Sequence, residues 1–413
     1  MSDVTAITLF AGAGGWDLGF AACGVPILAA LNHNERSLAT HALNFPDTEH
    51  IKTDITQETP RRFPHATILQ ASPECRYQSA SHGVKLLGQN QPGLWTDREE
   101  DDPATRSRAT MREVVRWAAA KKEQGHPFQL IFVENVTKVR LWGGYHSWLQ
   151  EMQALGYRAK TLYFNSMFAP AFPAPCHESR DRWYTVFWRA SNRAPDLDIR
   201  PPALCQHCGF RVHAFQLWKR PQHPYGDYRK QYVYACPRCY REVVPFYHPA
   251  SAALDWACPT PSIGTRTTPL AKATLAKISK GVLRYRSSHP AFLYSYYGTA
   301  IYRTVSDPLG TCTTRDRHAL ITIPYPQACV EACGYRMLTL EEYKRAMGFP
   351  SSFRFQCPRT EALRQLGLAV TPAVAAMLVQ RGLASLGYRG SAEANRIQLF
   401  PDSGKEEESR VSS

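Results

Sequence analysis

Short apolar runs alternate with glycine-rich or polar turns through the first half of the chain, and their spacing predicts strands alternating with helices. Thr5–Phe10 is β-prone and runs into Ala11-Gly12-Ala13-Gly14-Gly15, with a helix expected from about Asp17. Ile27–Leu31 predicts a second strand, followed by Asn32 and a helical stretch from Arg36 to Leu43. Ala66–Leu69 predicts a further strand, closed by Ala71-Ser72-Pro73-Glu74-Cys75, since proline stops the strand and fixes the backbone before the cysteine. Ala109–Lys122 reads as a helix. Phe128–Val133 reads as a strand ending in Glu134-Asn135-Val136, and Val186–Trp188 as a late strand. This alternation defines an α/β fold.

The pattern changes after Trp188. Asn192–Pro202 reads as a linker, and Cys205-Gln-His-Cys208 and Cys236-Pro-Arg-Cys239 follow it. Two such pairs supply four thiolates to one structural zinc; two unrelated buried pairs are the plainer alternative. Between them Arg211, Lys219, Arg229 and Lys230 interleave with Trp218, Tyr225, Tyr228, Tyr232 and Tyr234, a mixture suited to phosphate contact and base stacking. Thr267–Lys280 predicts a basic helix, Ser288–Tyr302 is aromatic-rich, and Thr311–His318 is polar and basic. Leu338–Phe349 is amphipathic, with Thr339 and Glu342 forming a capping box. Ala373–Leu386 predicts a last apolar helix, and Asp402–Ser413 a disordered tail.

A chain of 413 residues exceeds one compact core. The expected division is 1–192 with 334–388 as one domain, an insertion at 193–333 holding a ribbon at about 203–242, and a tail at 389–413. The net charge of +14 favours a polyanionic partner. No apolar run reads as membrane-spanning, and no signal peptide is expected at Met1-Ser2-Asp3-Val4. The twelve cysteines then fit a reducing compartment, where metal binding or catalysis outweighs disulfides.

Several features carry chemistry. Cys75, at the C-terminal end of a strand, is placed as a nucleophile, and Glu134, at the end of another, as its acid partner. The glycine turn after Thr5–Phe10 suits close approach of a nucleotide-like ligand. Asn32 and Asp54 are polar ends at two neighbouring loops. The polar stretch Gln78–Arg108 reads as a long functional loop.

In this order the stretches resemble the DNA (cytosine-5) methyltransferase family: Phe10-Ala-Gly-Ala-Gly-Gly15, Pro73-Glu74-Cys75, Glu134-Asn135-Val136, Arg180-Asp181-Arg182, Thr313-Thr314-Arg315, and Arg336–Leu340 with Met347-Gly-Phe-Pro350. The resemblance covers nearly all of the chain to about Tyr388. It implies a Rossmann-like class I methyltransferase domain with an inserted target-recognition domain, S-adenosylmethionine as cofactor and double-stranded DNA as partner. It further implies attack by Cys75 on a flipped-out cytosine, with Glu134 bonding the N3 and amino edge and Arg180 and Arg182 steadying the base and Glu134. Phe10, Gly12, Gly14, Gly15, Asn32, Asp54 and Leu368 would contact the cofactor. A monomer in the cytoplasm of a bacterial or phage-infected cell is the setting it suggests.

The chain departs from that pattern at Glu74, Asn32, Glu178 and Leu368, and Arg76 sets a cation beside the thiol. Glu74, Arg76, Thr313 and Arg315 are therefore candidate group- or substrate-selecting residues. Transfer of a carboxymethyl group from a carboxylated S-adenosylmethionine, an RNA substrate, and a catalytically weak zinc-containing DNA-binding protein stay open as alternatives.

Overall fold

The computed structural model describes residues 4–73, 110–326 and 328–388. Glu74, Cys75, Arg76, the loop Gln78–Arg108 and the tail 389–413 lie outside the described residues.

A seven-stranded sheet positions everything else. Its strands are β1 (Ala6–Leu9), β2 (Ile27–Asn32), β3 (Glu49–Lys52), β4 (Ile68–Ala71), β5 (Leu130–Asn135), β6 (Tyr157–Asn165) and β7 (Asp181–Arg189). The order is β3-β2-β1-β4-β5-β7-β6. β1 to β5 pair in parallel, and β7 is antiparallel to both β5 and β6. The inner strands β1, β4 and β5 are buried along their whole length, which is why they read as mostly apolar runs. β6 escaped the sequence reading because exposed Arg158, Ala159 and Lys160 break its apolar pattern.

Helices cover the sheet: α1 (Gly15–Ala22), α2 (Glu35–Asn44), α3 (Arg112–Glu123) and α4 (Tyr145–Ala154). Beyond the inserted region, which contains α5 (Lys272–Tyr285), come α6 (Leu340–Ala346), α7 (Arg359–Leu368) and α8 (Pro372–Ser385). The capping box on α6 is formed as expected: Thr339 and Glu342 bond each other's backbone. Arg336 pairs with the same Glu342 carboxylate at 2.7 Å. Contrary to the sequence expectation, Arg359–Ser385 is long and apolar enough to pass for a membrane span, but its apolar window is 83% buried in the protein. The stretch is two helices, α7 and α8, broken at Ala369. α8 lies close on α1: a Cβ at Gly19 would come within 2.6 Å of Ala375 Cβ.

The inserted region is two bodies. The first holds β8 (Pro202–Leu204), β9 (Arg211–His213), β10 (Phe215–Trp218), β11 (Tyr232–Ala235) and β12 (Glu242–Val243). Tyr228, Tyr232 and Tyr234 are buried in the core they share with the main sheet, stacked edge-on to Phe168 or to one another. This corrects the expectation that these rings stack on bases. The second body is a four-stranded sheet of β13 (Ala291–Tyr296), β14 (Ala300–Thr304), β15 (His318–Thr322) and β16 (Gly334–Met337), and α5 packs on it. Its apolar cluster of Ile278, Val282, Phe292 and Ile321 is separate from the main core.

The ribbon is fastened through Asp181, whose Oδ1 accepts from Tyr228 N at 2.9 Å. Burial pushes this carboxyl up to about 7, against the hydrogen bond from Tyr228. The folded chain therefore keeps the proton between pH 4 and 7 while the unfolded chain releases it, and stability falls as pH rises through that window. Asp181→Asn keeps the acceptor and removes the charge. Its melting temperature should exceed that of the parent by roughly 2 °C or more at pH 8, with the gain shrinking at pH 5; calorimetry at both pH values checks this.

Candidate active site and metal centre

The parallel strands end along one edge, and the chain crosses to opposite sides of β1 there, the place where such sheets bind ligands. Phe10, just after β1, takes the left-handed conformation at φ 58°, as do Gly12 at 59° and Gly14 at 90°. A side chain at Phe10 in this region costs on the order of 1 kcal/mol, so the loop is held by its surroundings. A Cβ at Gly14 would strike Phe45 at 2.5 Å, and one at Gly15 would strike Val370 O at 2.3 Å. At Gly12 nothing lies nearer than Phe10 O at 3.9 Å, so that side of the loop is open for a ligand.

Beneath the loop runs a buried chain that the sequence reading missed. Thr8 Oγ1 donates to Asp17 Oδ1 at 2.6 Å, His41 Nε2 meets Asp17 Oδ2 at 2.9 Å, and His41 Nδ1 meets His50 Nε2 at 2.8 Å. The only sequence signal was an aspartate inside the otherwise apolar Gly15–Ala22.

Asn32 and Asp54 follow along the edge. Asn32 Oδ1 is occupied by Asn34 N at 2.8 Å, which leaves its amide nitrogen as the group to offer a hydroxyl. Asp54 caps a short turn through Thr56 N at 3.0 Å. A glycine loop with an open face, an amide and an exposed carboxylate in a row fit a nucleoside-bearing cofactor such as S-adenosylmethionine. Leu368, the last residue of α7, is 52% exposed beside this loop. Gly367 before it is pressed on Thr313, where a Cβ would come within 2.3 Å of the backbone carbon.

Glu134 lies inside β5, one residue from its end, and is buried. Arg182 Nε reaches its Oε1 at 3.0 Å from the facing β7. Burial holds the Glu134 carboxyl above the usual carboxylate range, opposed by Arg182, by Arg180 and by a hydrogen bond from Ser72. Its neighbour Asn135 donates to Pro73 O at 3.2 Å, joining β5 to the segment just ahead of Glu74 and Cys75.

Arg180 is held mainly by backbone carbonyls. Its buried guanidinium donates to Cys312 O at 2.8 Å, Gly367 O at 2.7 Å and Ala369 O at 3.3 Å, with Glu178 at 3.4 Å. Among the described residues it bonds no side chain of the Glu134 site and acts on Glu134 only through its charge. Thr313 Oγ1 donates to Arg315 O at 3.1 Å, and Arg315 is exposed on the loop that Arg180 anchors.

These loops on this sheet define a class I methyltransferase domain. Residues 4–382 match the C-5 cytosine-specific DNA methylase family, and the chain belongs to it. Over 94 residues it is 35% identical to the Type II methyltransferase M.AquIA of Picosynechococcus; the match takes in 21% of this chain and 37% of that relative. The fold resembles Spodoptera frugiperda DNMT2 at a TM-score of 0.54 and 15% identity, over 92% of this chain and all of that one. It also resembles a putative prophage DNA modification methyltransferase from E. coli, at a TM-score of 0.50 and 15% identity, over 94% of this chain and all of that one.

Cys205, Cys208, Cys236 and Cys239 come together in the ribbon, all four Sγ atoms within 4.8 Å of one another. Cys205 and Cys239 are 3.6 Å apart, close to the value of about 3.8 Å that a tetrahedral zinc with 2.3 Å bonds requires. The two turns match: Gly209 N donates to Cys205 O at 2.8 Å, and Tyr240 N to Cys236 O at 2.9 Å. Gly209 at φ 71° and Tyr240 at 60° then close them alike. Such a set is closed to substrate, so its work is structural. Protein purified without chelator should carry one zinc per chain by elemental analysis, and Cys236→Ser should lose it and melt several degrees lower. Metal-free parent protein with an unchanged melting temperature would refute the centre.

Proposed function

We propose that the chain methylates carbon 5 of a cytosine flipped out of duplex DNA, with S-adenosylmethionine supplying the methyl group from its sulfonium. The observation that carries this reading is Glu134: a carboxyl kept high by burial, tethered by Arg182, and joined through Asn135 to the strand end that precedes Cys75. Flipping is required because the ring cannot be reached inside the stack. The Cys75 thiolate adds to C6. Protonated Glu134 gives its proton to N3, so negative charge does not build on the ring. Arg182 holds the carboxylate that results. Carbon 5 then takes the methyl group and S-adenosylhomocysteine departs; the C5 proton leaves to solvent, expulsion of the Cys75 thiolate restores the double bond, and N3 returns its proton to Glu134.

The net positive charge and exposed Arg315 suit a phosphate backbone. The ribbon and the four-stranded sheet together form the target-recognition region in this reading, and zinc holds the ribbon rigid. The chain works as a monomer in the bacterial or phage-infected cytoplasm.

Incubation with duplex DNA and S-adenosylmethionine, then nucleoside mass spectrometry, should yield 5-methylcytosine. Cys75→Ala should abolish turnover, and Glu134→Gln should lower kcat about 100-fold or more while the protein stays folded. A carboxymethylcytosine peak with carboxylated cofactor alone, or modification of RNA alone, would replace the reading. No modified base with any of these substrates would end it.

A further inference from the structure

Between the outer edge of the main sheet and the ribbon lies a cavity of about 610 Å³ that the proposed reaction does not use. Its walls include β6 from Lys160 to Phe164, the start of α4, and Phe215, Gln216 and Trp218 of β10. β6 is the outermost strand of the main sheet and β10 the outermost strand of the ribbon sheet. Gln216 Nε2 donates to Tyr163 O at 3.0 Å, so the edge of β6 turns its backbone towards the ribbon.

The lining is cationic and aromatic. The Arg140 guanidinium lies over the Tyr145 ring at 4.8 Å, and neither it nor Lys160 forms an ion pair among the described residues. Asp198, the one carboxylate in the wall, is held by Arg200 at 2.7 Å. Half-buried Trp218 stands edge-on to Tyr163, with ring centroids 5.6 Å apart at 84°. Unmatched cations beside aromatic rings are what a nucleotide needs, its phosphate taking the charge and its base the ring. The volume is within the roughly 300–1,000 Å³ of small-molecule sites.

The place in the fold adds to this. β6 runs parallel to β5, with β7 between them, and Leu162 pairs with Tyr184, which pairs with Glu134. The cavity wall is therefore two strand spacings, about 10 Å, from Glu134. We propose that the cavity binds one nucleotide of an unpaired nucleic-acid strand, with the phosphate on Arg140 and Lys160 and the base against Trp218. A nucleotide extruded from the duplex next to the target cytosine is then held beside the site. This extends the transferase reading, but the binding itself needs neither cofactor nor turnover.

The test is photocrosslinking of the zinc-bearing full chain, without cofactor, to a short single-stranded oligothymidylate carrying 5-iododeoxyuridine, with the adduct mapped by mass spectrometry. The expected adduct lies on the peptide containing Phe215–Trp218. Lys160→Glu and Arg140→Gln, at unchanged melting temperature, should each weaken that adduct about tenfold. Adducts confined to other peptides, or the same yield in both variants, would overturn the proposal. So would capture of polyglutamate at this peptide in place of the oligonucleotide, which would mark a protein-binding edge. Because no turnover is measured, failure here is distinct from failure of the methyl-transfer reading.

Discussion

Glu134 and Arg182 meet across the β5–β7 pair at 3.0 Å, and the cleft depends on that buried contact. An isolated carboxylate at this depth is costly, and a buried pair is tolerated only when its geometry is fixed. Here the geometry is fixed by sheet register. Asn135 is opposite Trp183 and Glu134 opposite Tyr184, so Arg182 sits on the diagonal from Glu134 with its guanidinium turned back. Arg180 adds positive field without a bond, its donors being spent on carbonyls of Cys312, Gly367 and Ala369. The result is a carboxyl that burial raises and two cations restrain, a balance suited to holding a proton and then giving it up.

The same register decides what was legible in the sequence. Strand existence was readable because the inner strands are mostly apolar, but their ends were not, and Glu134 and Arg182 prove to lie inside strands. The cysteine pairs were readable because metal spacing is local, and the structure gathers their four sulfurs. Tyr228, Tyr232 and Tyr234 of the ribbon were misread. Tyr232-Val-Tyr-Ala235 is buried at every position, and composition alone does not separate a core strand from a stacking surface. The bonds of Arg180 were not legible for another reason: its partners are backbone carbonyls far away in sequence, which carry no side-chain signature.

Distance in sequence also explains the unforeseen buried chain under the glycine loop. Thr8, Asp17, His41 and His50 come from four separate elements or turns, and only the parallel pairing of β1, β2 and β3 brings them together. The loop above them contains left-handed residues that would otherwise relax. Packing from His41 and Phe45 under Gly14, and from Val370 against Gly15, confines it from two sides.

The beginning of β7 joins all of these regions through the alternation of a strand. Arg180 and Arg182, two residues apart, share one side, where the first ties down the 312 and 367–369 segments and the second holds Glu134. Asp181, between them, faces the other way and bonds Tyr228 and Tyr232 of the ribbon. Thr137, just beyond Glu134, adds a second fastening through Asp227 at 2.8 Å. The ribbon is therefore hydrogen-bonded directly to β7, the strand of Arg182, and to the turn that follows β5, the strand of Glu134. A displacement of the ribbon pulls on the peptide units either side of Asp181, and one of those carries Arg182. In the proposed reading, recognition and chemistry thus share a strand, and the inserted region need not touch the reacting base to influence where Glu134 holds its proton.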